Sequence, residues 1–421
     1  MKRFLACLLL SLSLAIPACV VNPVTGKRNL GLVSEQQELQ LGETNYVPTQ
    51  QMQGGPYDVD PELTRYVQEV GQKVAAHADR DLPYEFVVLN NPVPNAWALP
   101  GGKIAVNSGL LAELDSEAEL AAVLGHEIVH AAARHSAQQV ERGTLLQLGV
   151  LAAGIAASDE YADLALGAGM VGAQIINSKY GRDAELEADH YGMTYMVRAG
   201  YDPQAAVSLQ ETFVRLAEGR QSNWLEGLFA SHPPSEERVR RNREHAGKLQ
   251  AGGEIGREDF QRVTAQLRKA KPAWEAYQEG AVALQEGDAQ RARSKAEEAI
   301  RIEPRIGHFH NLLAKAALVE DDHDEALKHF EEAIRRQPNY FENYVYRGLL
   351  LDEAGDYDKA RQDLERANQL LPTAIAHEKL GDIAIRQGRG NEAVAHYRVA
   401  AQSQSEVGQR AAAKLRQLGV Q

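Results

Sequence analysis

Residues 118–136 read AELAAVLGHEIVHAAARHS. His126 and His130 stand four residues apart there, and Glu127 follows the first histidine. On a helix, positions i and i+4 lie about 40° apart around the axis, so both imidazoles reach one metal ion. Glu127 projects from the neighbouring position as a carboxylate able to hold a metal-bound water. This is the H-E-x-x-H arrangement of zinc hydrolases. The alternative is an Ala-rich helix that carries two histidines with no ligand, since so short a motif also arises by chance.

A catalytic zinc site takes a third protein ligand and keeps a position for water. The candidate lies in GRDAELEADHYG (181–192), where Glu185 and Asp189 again share one face while Glu187 points elsewhere. Alone, that spacing describes an acidic, solvated helix face. Here the segment follows an apolar stretch and carries Ala184, Ala188 and Gly192, which allow another helix to pack closely. His232, in SHPPSEERV (231–239), sits in a loop stiffened by Pro233 and Pro234. A loop histidine is either a surface residue or one placed for function. Arg182 and Arg238 read as braces for the acidic site, and His135 as structural.

The elements that must position these groups are legible in outline. Ser34 and Gln37 form a capping box for an amphipathic helix in residues 34–46, and residues 60–80 read as helical. YEFVVLN (84–90) is a strand by composition, NNPVPNAWALPGG (90–102) a loop, and KIAVNSGLL (103–111) a second strand running into a turn. Residues 116–141 read as one helix with Asp115 or Ser116 as N-cap. The apolar 144–176 stretch is a buried helical hairpin or a segment that acts as a lid or touches lipid. A charged stretch at 250–270 marks a domain boundary.

Beyond it the chain repeats. Pro304, Pro338 and Pro372 keep a 34-residue step, and so do Ala292, Ala326 and Ala360, with Ala393 next. Ala299, Ala333, Ala367 and Ala400 run in register, and Gly348 and Gly381 fall where helices approach. This is the tetratricopeptide pattern, over 272–304, 305–338, 339–372 and 373–405. Such helix pairs stack into a solenoid whose groove takes a peptide or protein partner.

The chain has 421 residues, 45 basic and 58 acidic, for a net charge of −13. That balance argues against nucleic acid as a partner, since phosphate binding needs a basic face. Lys2 and Arg3 followed by an apolar run to Ile16 read as an export signal over residues 1–18. The run is shorter than the ~20 residues a membrane span takes. IPAC, ending in Cys19, resembles the lipobox of bacterial lipoproteins, with Pro17 a departure from it. The readings are a lipidated Cys19 or a plain secreted protein, and Val20 after it disfavours inner-membrane retention.

HEIVHAAARH (126–135), GRDAELEADHYG and SHPPSEERV resemble the zinc metallopeptidase family that includes the prenyl-protein proteases, the HtpX heat-shock protease and the BepA-type periplasmic proteases. NPVTGKRNLGLVSEQQELQLG (22–42) and NAWALPGGKIAVNSGLL (95–111) extend the resemblance, and the repeats favour the BepA-type branch. The resemblance implies a mostly α fold with a small β-sheet: a zincin-like domain over 22–250, then an α-solenoid of four repeats over 270–421. It implies one zinc per chain on His126, His130 and Glu185, with Glu127 as general base. Asp189 becomes either the carboxylate that orients a ligating histidine or a proton donor. His232 becomes a possible occupant of the fourth zinc position, inhibiting or assisting. Substrate is expected to add as a strand near GGKIAVN, with Asn95 and Ala96 contacting its backbone. The implied role is degradation of misfolded or stalled outer-membrane proteins in the periplasm by a protein lipid-anchored to the outer membrane. The repeats would bind the assembly machinery. The rival readings are a repeat-based chaperone with a mostly silent metal site and an adaptor whose metal is structural.

Overall fold

A computed structural model of the chain describes residues 19–142, 179–218 and 231–420. The export signal of residues 1–18, the lipid-attachment reading of the Cys19 side chain and the apolar 144–176 stretch lie outside the described residues. Among the described residues, no helix is long and apolar enough to cross a membrane.

Two short strands, β1 (Cys19–Val21) and β2 (Arg28–Leu30), pair antiparallel ahead of helix α1 (Glu35–Met52). The capping box at Ser34 is present, with Gln37 returning its side chain to the Ser34 N–H. α1 departs from the expected amphipathic pattern, because it buries Glu38, Asn45, Thr49, Gln50 and Gln51. Buried Glu38 is compensated by Arg80 at 2.8 Å and Arg134 at 3.4 Å. α2 (Pro61–Ala75) starts at the Asp60 cap and buries Leu63, Val67, Val70 and Val74, one helical face.

β3 (Glu85–Leu89), β4 (Ala96–Leu99) and β5 (Lys103–Asn107) form a sheet in the order β3-β5-β4, with β3 parallel and β4 antiparallel to β5. Two expectations are corrected here. The 90–102 stretch is not all loop: its Asn and Pro residues form only the turn, and AWAL, buried throughout, forms β4. The strand of GGKIAVN is the central β5, flanked on both sides, so it cannot accept an added strand; β3 and β4 are the end strands, and β4 is the one that reaches the His126 and Glu127 pocket. After β5 the chain turns directly into α3 (Ser108–Glu113) rather than a simple turn.

α4 (Glu117–Ala132) is capped by Ser116 and buried along its length after Glu117. It does not continue to 141 as expected. It stops at Ala132, Arg134 adopts φ 65°, and a second helical stretch starts at His135. α5 (Arg182–Arg198) crosses α4 where Gly125 meets Gly192: a Cβ on either would lie 2.7 Å from backbone of the other helix. α6 (Gln204–Glu218), α7 (Glu236–Ala246) and α8 (Arg257–Val263) complete the layer of helices around α4. The charged 250–270 segment contains α8 and the start of α9 (Ala265–Gln285), and Phe260, Val263 and Leu267 pack into the same core as α4.

α9 pairs with α10 (Ala289–Ile302), and three further pairs follow: α11 (Gly307–Val319) with α12 (His323–Arg336), α13 (Phe341–Glu353) with α14 (Tyr357–Leu370), and α15 (Ala374–Arg386) with α16 (Gly390–Ala400). α17 (Glu406–Gln417) packs after the last pair. Ala292, Ala326, Ala360, Ala393 and their partners Ala299, Ala333, Ala367 and Ala400 are all 0% exposed, which explains why the period selects small residues. Asp288, Asp322 and Asp356 cap the second helices of the first three pairs.

Candidate metal centre

α4 presents His126, Glu127 and His130, and α5 presents Glu185 and Asp189 across the glycine crossing. The loop before α7 adds His232. All six side chains are buried. His126 Nε2 is 3.0 Å from His130 Nε2, 3.2 Å from His232 Nδ1 and 3.6 Å from Glu185 Oε2. Glu185 Oε1 is 3.4 Å from His130 Nε2 and 3.0 Å from His232 Nδ1. Tetrahedral zinc with ligands at its usual bond lengths places them about 3.4 Å apart, so these four residues fit one such ion. Their ligating atoms lie within 4.8 Å of one another. Glu127 Oε2 is buried with no hydrogen-bond partner, as a carboxylate oxygen turned toward a missing group would be, and its Oε1 lies 3.6 Å from His232 Nε2.

The surrounding shell orients the ligands. Asp189 Oδ1 lies 2.9 Å from His126 Nδ1, so accepting that N–H leaves the Nε2 lone pair for a metal. Arg238 donates from Nε and Nη2 to Asp189, both at 2.7 Å, and its Nη1 lies 2.9 Å from Glu185. Arg238 is thus the brace expected of it. Arg182 is not: it is exposed and pairs with Glu237 at 2.5 Å. His135 stands 3.1 Å from His130 Nδ1 and 3.3 Å from Glu187, whose other partner is Asn22. The left-handed break at Arg134 makes this possible, because on an unbroken helix a residue five positions on lies 140° away. Tyr180 stacks on the His130 ring, with centroids 3.7 Å apart, and lies 3.1 Å from the Ser136 hydroxyl. Tyr180 and Ser136 were not singled out in the sequence, where neither belongs to a recognisable spacing.

Burial pushes the Glu127 carboxyl above its ordinary range. It also holds the His130 imidazole well below its usual value, and so in the neutral form that ligates. Burial pushes Asp189 up, but the Arg238 guanidinium outweighs it and holds the carboxyl below its usual value. Glu185 is likewise pushed up by burial yet held well below by His232, Arg238 and His126. Beside the cluster, Ala96, Leu110, Val123, Met193, Leu209 and Phe213 line a pocket of about 40 Å³ that reaches His126 and Glu127. Asn95 and Ala96 stand at the start of the edge strand, where the Asn95 carbonyl accepts from Asn107 N–H.

Residues 61–246 match the family model described as peptidase family M48, and residues 277–341, 347–406 and 329–362 match tetratricopeptide repeat models. The chain is 31% identical over 231 residues to the beta-barrel assembly-enhancing protease of Escherichia coli K12, covering 53% of this chain and 47% of that protein. It is 37% identical over 182 residues to the mitochondrial metalloendopeptidase OMA1 of Schizosaccharomyces pombe, covering 42% and 51%. The chain thus spans about half the length of these curated relatives. Among solved structures, MamA from Desulfovibrio magneticus RS-1 aligns at 21% identity and TM-score 0.29 over 34% of this chain and 81% of that one, too low a score to bear on the fold.

Proposed function

Through residues 61–246 the chain belongs to peptidase family M48, with tetratricopeptide repeats following, and from that premise we propose that it is a zinc-dependent endopeptidase acting on proteins. The observation that carries this reading is the buried His126, His130, Glu185 and His232 group at tetrahedral spacing. His126, His130 and Glu185 would hold the ion. Bound zinc supplies an acidified water and polarises the scissile carbonyl. Glu127, whose carboxyl burial pushes above its ordinary range, takes the proton of the attacking water and delivers it to the leaving amine. Asp189, held ionised by Arg238, has no proton to donate near neutral pH, which supports its orienting role on His126 over the proton-donor alternative. His135 and Glu187 do the same for His130. The substrate adds as a strand along the Asn95–Ala96 end of β4 on the side away from β5, since further along the Ala98 carbonyl already accepts from the Ser136 hydroxyl.

His232 Nδ1 stands as close to Glu185 and His126 as a fourth ligand would. That supports a resting form in which His232 takes the place of water and holds activity low until the loop before α7 moves. The relatives named beta-barrel assembly-enhancing protease support β-barrel protein assembly as the setting, and with it the periplasmic side of the outer membrane that the motif resemblance implies. The repeats then serve as the partner-binding part, and Cys19 as a point of lipid attachment. The test is zinc content together with casein cleavage for the wild type and Glu127→Gln. Loss of cleavage with zinc retained supports the peptidase reading. Equal activity in both would favour the rival, a repeat-based chaperone or adaptor with a silent metal site.

A further inference from the structure

The repeats touch the peptidase region at several places, Val59 against Trp274 and Phe309 among them, and one of these contacts is hydrogen-bonded throughout. Gln51, at the end of α1, donates from Nε2 to the Asn339 carbonyl and accepts from the Phe341 N–H, both at 2.8 Å. Met52 packs against the Phe341, Val345 and Leu371 cluster between repeats. The Gly54 carbonyl accepts from Gln337 Nε2 at 2.7 Å and lies 2.9 Å from His308 Nε2. Gly54 has φ +94°, and a Cβ there would lie 2.7 Å from the Asn90 carbonyl oxygen, so the segment is fitted between the repeats and the sheet. An amide side chain spanning a backbone donor and acceptor, with an apolar side chain seated beside it, is how a repeat surface would hold a foreign peptide. Here the occupant is the chain's own 51–58 segment.

From that grip, hydrogen bonds run without a gap to the mouth of the metal centre. Asn91 donates to the Gln53 carbonyl at 3.2 Å and accepts from Val93 N–H at 2.9 Å. Asn107 donates from its side chain to the Val93 carbonyl at 2.8 Å and from its backbone to the Asn95 carbonyl at 2.9 Å. The Asn95 side chain accepts from Ala96 N–H at 3.0 Å. In parallel, Asn90 donates to Gln337 at 3.3 Å while its N–H is held by the Gly55 carbonyl at 2.9 Å. We infer that the second and third repeats, through Gln337 and the 51–55 segment, position the Asn95–Ala96 end of the edge strand for substrate. Gln337 is then a positioning residue for peptide binding. A partner that competes for this repeat surface would loosen the edge strand and lower affinity for substrate.

This rests on the reading of β4 as the substrate edge, so the test separates binding from cleavage. Peptide affinity is measured by fluorescence anisotropy with a labelled, unstructured casein-derived peptide, in the full chain carrying Glu127→Gln. Gln337→Met keeps the side chain's length and removes both of its hydrogen bonds. It should weaken peptide binding about fivefold, the size of a coupling carried through such a network, and speed amide exchange over residues 88–96. Zinc content should not change. Gly54→Ala, made at a residue remote from the metal, should do the same. Asn91→Ala should weaken binding less, because it cuts the route through Gln53 and leaves the one through Asn90, and the double variant with Gln337→Met should be no weaker than Gln337→Met alone, since Gln337 feeds both routes. Unchanged affinity in Gln337→Met and Gly54→Ala overturns the inference, as does additive loss in the double variant. A drop confined to thermal stability would make the contact merely structural. Absence of cleavage in the wild type would sink the peptidase reading while leaving this comparison of affinities intact.

Discussion

The peptidase and repeat regions both bury histidines, and they do so to opposite ends. In the metal centre His126 and His130 are surrounded by Glu127, Glu185, Asp189 and Arg238, all buried, a concentration of charge that costs desolvation at every member. In the repeats, His310 is buried against His329 with centroids 5.9 Å apart, and neither of its nitrogens has a hydrogen-bond partner. No carboxylate joins them in a metal-holding group; among the described residues the one such group is at His126. Most of the repeats' ion pairs, such as Arg293 with Glu325, lie at least partly in solvent. A buried histidine is therefore weak evidence of a site. A buried histidine whose neighbours are ionised, oriented and otherwise unexplained is strong evidence.

The sharpest way to break that contrast is Glu127→Gln. It should cut casein turnover by about 10²–10⁴-fold, the usual worth of a general base, with zinc retained; elemental analysis and a cleavage assay decide. Next comes Asp189→Ala, which leaves the ligands in place but withdraws the acceptor on His126. Zinc affinity should fall ~10–100-fold, read by competition with a chelating dye, and unchanged affinity would remove Asp189 from the site. His232→Ala should raise basal cleavage several-fold at constant zinc if it caps the fourth position. A fall of about 10²-fold would instead make it an oxyanion donor, and an unchanged rate would leave it a rigid-loop histidine.

Substitutions in the repeats should move stability and leave the metal alone. At Gly381 a Cβ would overlap the Tyr397 ring, well inside van der Waals contact. Gly381→Ala should cost ~1–3 kcal/mol, seen as a lower melting midpoint with zinc content unchanged. An effect absent at neutral pH appears on acidification. Burial lowers His310 to about 4, against about 6.5 in an unfolded chain. The unfolded state therefore binds its proton first: stability is full above pH 6.5 and is lost as pH falls toward 4. His310→Leu should flatten that part of the stability-against-pH curve, and an unaltered slope would mean the imidazole is solvated.

Sequence alone determined what depends on local spacing. The H-E-x-x-H pair, the Glu185 and Asp189 pair, the Ser34 capping box and the tetratricopeptide period were all legible, because a helix converts a separation of three or four residues into a shared face whatever surrounds it. Tertiary structure alone decided which faces meet. That Gly125 lies on Gly192, that Arg238 grips Asp189 while Arg182 faces solvent, and that His135 swings back onto His130 past a left-handed Arg134 depend on contacts between residues distant in sequence or on a break in a helix. The edge position of β4 was hidden for the same reason. AWAL carries no strand periodicity, and its state is set by hydrogen bonds to β5 and burial on both faces, neither of which a local pattern records.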